Sequence, residues 1–217
     1  MRLPGFFAMA VLMAIPMAGM SEVIFSEIVE GTLSFKYIEI VNRGETTVDL
    51  TSPPITLRRY INGASSPSLS SLTGTLAPGE FLVLTNDLGV YKDYLSTAPT
   101  PLLDRNIMHT GDDSYELFDG TNVIDTFAGD WIGGGDPGNP AADGVFYRVL
   151  SALPNNGHWG GKSSNPIPDG ADSPSGYWTR REMTLSNGNA AAICTPFSSG
   201  GAGGREVPVA VSAFAIE

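Results

Sequence analysis

Cysteine is nearly absent from this chain. Cys194 is the single one among 217 residues, so no disulfide can form within the chain, and the thiol is either free or paired to another chain. Histidine is almost as scarce, with only His109 and His158, and neither HExxH nor CxxC occurs. The three or four ligands that zinc requires therefore have no motif to supply them. A GxSxG nucleophile elbow is missing too. The glycine-rich GGAGG near the C-terminus lacks the preceding strand and following helix of a dinucleotide site, and reads as a linker. Basic residues are few, 12 Lys and Arg against 23 Asp and Glu, for a net charge of −11. A surface so acidic repels phosphate backbones and anionic lipid, which disfavours nucleic acid or a membrane surface as a partner. No Asn-x-Ser/Thr sequon occurs, which is compatible with a bacterial origin.

What is present begins with an N-terminal export signature. Arg2 is the only charge before Glu22, FFAMAVLMAI (6–15) forms the apolar stretch, and small residues follow Pro16. This predicts a signal peptide over 1–20 with cleavage near 18–20. The alternative is an uncleaved membrane anchor, since Leu3–Met20 is 18 uncharged residues. Removal of Arg2 would leave eleven basic residues against 23 acidic ones, a net charge of −12. The predicted location is extracellular or at the cell surface, with the periplasm as a further option. Membrane attachment would come only through an uncleaved signal segment.

The whole chain is 42% hydrophobic and carries 26 Gly and 16 Pro, the makeup of a buried core with many turns. Short strand-like runs recur between turn residues. EVIFSEIVE and FKYIEIVN come first, and in the second Tyr37, Glu39 and Val41 alternate with Ile38 and Ile40, as in a half-buried strand. TTVDL, PITLRRY closed by Asn62-Gly63, SSLTGTL, and FLVLT after a Pro-Gly turn follow. DLGVYKDYLS predicts the one helix, with Asp87 as its cap and Leu88, Tyr91 and Leu95 on one face. SYELF, the turn DGTN and VIDTF predict a hairpin. After about residue 129 the chain turns irregular, with strands expected only at GVFYRVL and GYWTRREMTL. The fold class expected is all-β, a β-sandwich or small barrel with one short helix and a long irregular C-terminal extension. The domain spans 21–185, and 186–217 is a flexible linker with a short apolar tail, VPVAVSAFAI, readable as an added edge strand or a sorting tail.

Several of these runs resemble the lamin-tail domain family in its bacterial exported branch. The residues that carry the resemblance are Ser26-Glu27, YIEIVN followed by VDL, the LAPGE turn and GDDSYELFDG, in family order over roughly 22–129. DWIGGGDPG and the strand with Trp178, Arg180 and Arg181 are similar to the extension that often follows it. The resemblance implies an immunoglobulin-like β-sandwich used outside the cytoplasm, often beside nuclease, phosphatase or surface-anchoring modules. It implies no catalytic residues, and no stretch here reads as an attached enzyme module.

The residues themselves leave weaker site readings open. Asp112 and Asp113 with Asp130 and Asp136 could converge on Ca2+, but an EF-hand started at Asp112 fails, with Leu117 at position 6 and Val123 at position 12. Turn formation explains these acids more simply. A carbohydrate-active site would draw on paired carboxylates and on Trp131, Trp159 or Trp178 as stacking platforms, whereas Glu27, Glu39 and Glu116 on alternating strands read as outward and solubilising. Arg58-Arg59 and Arg180-Arg181 should each send one side chain inward, with Asp125 as the candidate partner. The outward members, Arg58 and Arg181, would form an anion-binding patch or protect an edge. Three functions remain open: a non-catalytic binding or structural module with a protein or surface-polysaccharide partner, a secreted hydrolase or carbohydrate-active protein using the acidic loops, and a calcium-stabilised adhesion module. The partner is expected on the irregular 129–176 region.

Overall fold

Alternating and continuous apolar runs fold this chain into two packed sheets, described by a computed structural model over residues 23–31, 34–95, 102–104, 106–138, 141–142, 144–148, 178–183 and 194. In chain order the elements are β1 (Val23–Glu30), β2 (Lys36–Asn42), β3 (Val48–Asp49), β4 (Thr56–Tyr60), β5 (Ser68–Ser71), β6 (Thr75–Leu76), β7 (Phe81–Thr85), α1 (Leu88–Tyr94), β8 (Leu102–Leu103), β9 (Ser114–Phe118), β10 (Val123–Phe127), β11 (Gly144–Arg148) and β12 (Trp178–Glu182). A six-stranded sheet runs β12-β11-β1-β2-β7-β8, a four-stranded one β10-β9-β4-β5, and β3 pairs with β6. All pairings are antiparallel except β7 with β8. This is the immunoglobulin-like sandwich that the family resemblance implied.

Phe25, Ile28, Ile38, Ile40, Phe146 and Trp178 of the larger sheet meet Leu57, Tyr115, Leu117 and Phe127 of the smaller one in a single core. The outer face of the larger sheet is covered as well. Val29, Tyr37, Val83 and Val145 pack there with Tyr91 and Leu95 of the helical segment and with Met183 and Cys194. This corrects the half-buried reading of β2, in which every residue from Lys36 to Asn42 is buried. Period 2 was present, but both faces found cover, so alternation did not mean one face in water.

The helix forms where its cap predicted. Asp87 Oδ1 accepts the N–H groups of Gly89 and Val90, and Tyr91 and Leu95 are buried. Leu88 does not share that buried face and is exposed. The expected SSLTGTL strand is split into β5 and β6, and TTVDL contributes only two paired residues. Strand β8 had no precursor in the sequence reading, because two residues are too short to show a period.

Asn62-Gly63 turns as expected, with both residues at positive φ, 51° and 70°. A Cβ on Gly63 would stand 2.1 Å from the carbonyl oxygen of Gly135, so glycine is required by close approach as well as by φ. That approach docks the start of the irregular extension. Gly133 N–H donates to Gly63 O at 3.0 Å, and Trp131 is buried in the core between the sheets. Ala141 N–H donates to Gly111 O, and Ala141 is buried too. The predicted signal segment 1–20, the linker and tail over 186–217 apart from Cys194, and residues 149–177 of the irregular extension lie outside the described residues. Among the described residues no helix is long and apolar enough to cross a membrane.

Candidate functional site

Five acids accept backbone N–H groups at turns or caps, as expected for Asp119, Asp136 and Asp87. Asp119 Oδ1 accepts the N–H groups of Thr121 and Asn122 in the hairpin turn, and Asp49 accepts from Thr51 N–H and hydroxyl. Asp136 closes a turn onto Gly138 N–H, Asp104 onto Asn106 N–H, and Asp87 caps α1. For Asp49 and Asp119 the bonds favour the ionised carboxylate and hold it below the ordinary aspartate range.

Asp112, Asp113 and Asp125 are different, because all three are buried. Turn formation does not account for Asp112 and Asp113, while Asp125 faces inward as its expected pairing with an arginine required. Asp113, just before β9, meets the inward member of the first arginine pair: Arg59 Nε and Nη2 lie 3.0 and 2.8 Å from Asp113 Oδ2. The other Asp113 oxygen accepts Asn62 N–H, and Arg59 donates further to the carbonyls of Asn106 and Met108. One guanidinium thus ties strand β4 to the 106–113 loop. Burial still holds Asp113 above the usual range, opposed by Arg59. Asp112 Oδ1 accepts the Thr110 hydroxyl at 2.7 Å.

Beside this tie lies a buried group that no motif announced. His109 sits with one ring nitrogen 2.9 Å from the Tyr115 hydroxyl and the other 2.6 Å from Val29 O. That arrangement fits a neutral ring that accepts from the tyrosine and donates to the carbonyl. Burial, with Lys36 next in weight, lowers its pKa to about 3. Glu30 pairs with Lys36 and stands 3.4 Å from His109 Nε2. The alternation around Lys36 in FKYIEIV placed it on a strand, but its burial follows from the second layer over the sheet.

Asp125 pairs with neither Arg59 nor Arg180, which corrects the expected partnership. It points from β10 toward the larger sheet, where Oδ2 accepts Phe25 N–H at 2.9 Å and Oδ1 lies 3.0 Å from Arg148 Nη2. Both side chains are fully buried. Arg148 also stands over the Trp178 ring, its guanidinium carbon 5.1 Å from the centroid. Burial raises Asp125 to about 6, against the lowering by Arg148 and the Phe25 N–H.

The outer face of the larger sheet brings two glutamates together. Glu27 and Glu39 are direct cross-strand partners, each only 2% exposed. Tyr37 donates to Glu27 at 2.9 Å and Ser26 to Glu39 at 2.6 Å. They are buried, contrary to the solubilising role expected, since this face carries its own cover. A glycosidase pair must flank a bond in an open cleft, and at this exposure a sugar does not reach them. Cys194 shares this environment, its sulfur 3.6 Å from Met183. It is a buried free thiol whose pKa burial pushes up, which removes it as a ready partner for an interchain disulfide.

The remaining candidates are scattered. Arg58 lies outward, its guanidinium carbon 3.3 Å from the centre of the Phe118 ring and Nη1 3.5 Å from Glu116, which also accepts the Tyr60 hydroxyl. Tyr60 rises to about 12 through burial and Glu116. Glu116 is thus half-buried and bonded, not merely solubilising. Since β4 lies between β9 and β5, Arg58 guards no edge. Asp130 and Asp136 are exposed in the loop that Trp131 anchors, whereas Trp131 itself is core and offers no stacking face. Arg181 is half-buried on the edge strand β12, and Trp159 lies outside the described residues. Among the described residues no group of three or more His, Cys, Asp or Glu side chains could hold a metal ion.

The family model for the Lamin Tail Domain matches residues 16–129, which is 114 of 217. That is a family of immunoglobulin-like, non-enzymatic domains. No curated protein matches the chain.

Proposed function

The chain belongs to the lamin tail domain family, and on that premise we propose that it is a non-catalytic binding or structural module working outside the cytoplasm. The observation that carries this reading is how its interior acids are used. Asp113, Asp125, Glu27 and Glu39 are all buried, and each carboxylate accepts hydrogen bonds from neighbouring side chains or backbone that hold the sandwich together. A catalytic carboxylate needs reach to a substrate atom, and these have none. Export is supported by the charge and apolar pattern of residues 1–20, and a bacterial source by the branch of the family it resembles. The acidic surface favours a protein or polysaccharide partner over nucleic acid.

The competing reading is a secreted hydrolase. Incubating the full chain with chromogenic glycosides and phosphodiesters, with and without calcium, should give no turnover above a heat-denatured control. Turnover that disappears in Asp112→Asn and Asp136→Asn, the acids of the loops, would replace the module reading with an enzyme.

A further inference from the structure

Exposed large apolar side chains are unevenly placed on this protein. Among the described residues Leu102, Leu103 and Met108 are 48%, 49% and 53% exposed, and Leu69 is 62% exposed. Hydrogen bonds bring their segments side by side. The Ser70 hydroxyl donates to Asp104, and Asn106 Nδ2 donates to Leu69 O at 3.1 Å and to Ser70 Oγ at 2.8 Å. The 102–108 segment thereby bridges the β8 edge of the larger sheet to the β5 edge of the smaller one. Arg59 holds the far end of it through Met108 O. The result is a group of exposed apolar side chains along the β8–β5 side of the sandwich, held by exposed and partly buried hydrogen bonds. Solitary exposed leucines are ordinary, but a rigidly held group of them marks a contact surface.

We infer that this group of side chains docks a basic, apolar-faced segment of a protein partner. The charge of the chain selects the sign. Over residues 80–108 four carboxylates (Glu80, Asp87, Asp93 and Asp104) stand against two cations, Lys92 and Arg105, within a chain of net charge −11. A second copy brings the same charge and is repelled, and so is an anionic membrane, whereas a cationic segment is drawn in. Among the described residues no strand lies beyond β8, so an extended segment can add main-chain hydrogen bonds to the apolar contacts.

The inference rests on the binding reading above, and it can fail alone. The test titrates the full chain with three synthetic twelve-residue peptides: alternating Leu and Lys, alternating Leu and Glu, and alternating Ser and Lys. The Leu/Lys peptide should bind at least about tenfold more tightly than either control, and Leu102→Ser/Leu103→Ser/Met108→Ser should weaken it by about tenfold or more. The variant leaves net charge unchanged, and Leu69→Ser provides a milder one should the triple variant unfold. Undiminished binding in both variants, equal affinity for the Leu/Glu peptide, or self-association of the wild type that the variants abolish would each overturn the proposal. Turnover in the substrate panel would instead remove the module reading and leave the peptide measurement standing.

Discussion

Asp125→Ala is expected to lower the melting midpoint of the full chain by about 6–20 °C at neutral pH. The partner charge of Arg148 would remain, fully buried and without the carboxylate 3.0 Å away, and the Phe25 N–H would lose its acceptor. Breaking one side of a buried pair costs about 3–5 kcal/mol, and in a domain of this size each kcal/mol moves the midpoint by roughly 2–4 °C. Removing both charges is milder, because the buried guanidinium deprived of this carboxylate is the main cost: Asp125→Leu/Arg148→Met should recover much of the loss. Thermal unfolding by circular dichroism measures all three chains. A single variant that melts within about 2 °C of wild type would show that water reaches the pair.

The second large effect is a pH dependence owed to His109. Its folded pKa, lowered to about 3, lies below the ordinary 6.5. Above about pH 6.5 the full stabilisation is present, and it is lost as pH falls toward 3, because the unfolded chain takes up a proton that the folded site refuses. At about 1.36 kcal/mol per unit, the loss between pH 7 and pH 4 is about 3 kcal/mol. Asp125 works in the opposite direction. Its folded pKa is raised to about 6, so its contribution is present below the unfolded value near 4 and disappears as pH rises through 6. The two effects offset each other over roughly pH 4–6, and the wild-type curve alone would hide both. The difference between wild type and His109→Gln isolates the imidazole. By urea denaturation it should shrink by about 3 kcal/mol from pH 7 to pH 4. Parallel curves would mean that His109 protonates in the folded protein as it does in water.

Much of this fold could be read from the chain. The DGTN hairpin turn, the Asn62-Gly63 turn and the Asp87 cap depend on neighbours a few residues away, and each formed as its local chemistry required. Alternation also divided Arg58 from Arg59 correctly, one outward and one in. What it did not settle was depth and partner. Glu39 sits in a run with the period of a half-buried strand, yet α1 and the residue Cys194 lie over that face, and a cover contributed from far along the chain leaves no mark on local period. Asp125 failed for a related reason. Its partner was sought among the arginine pairs, whereas sheet packing delivered Arg148, a lone charge at the end of β11. Trp131 likewise reads as part of an irregular loop, and its burial depends on Gly63 lying where Gly133 and Gly135 can close against it. The family match, in contrast, needs only order along the chain, and residues 16–129 carry it.

The buried acids Asp112, Asp113, Asp125, Glu27 and Glu39 belong to the fold and are not offered to a ligand. The calcium-stabilised adhesion reading says the opposite, with Asp112 and Asp113 drawing the Asp130–Asp136 loop onto an ion. Differential scanning calorimetry of the full chain, in excess calcium and again after chelation, separates the two. The buried bonds of Asp113 to Arg59 and Asn62, and of Asp112 to Thr110, predict the same midpoint in both conditions. A midpoint several degrees higher with calcium, abolished by Asp112→Asn or Asp136→Asn, would contradict it.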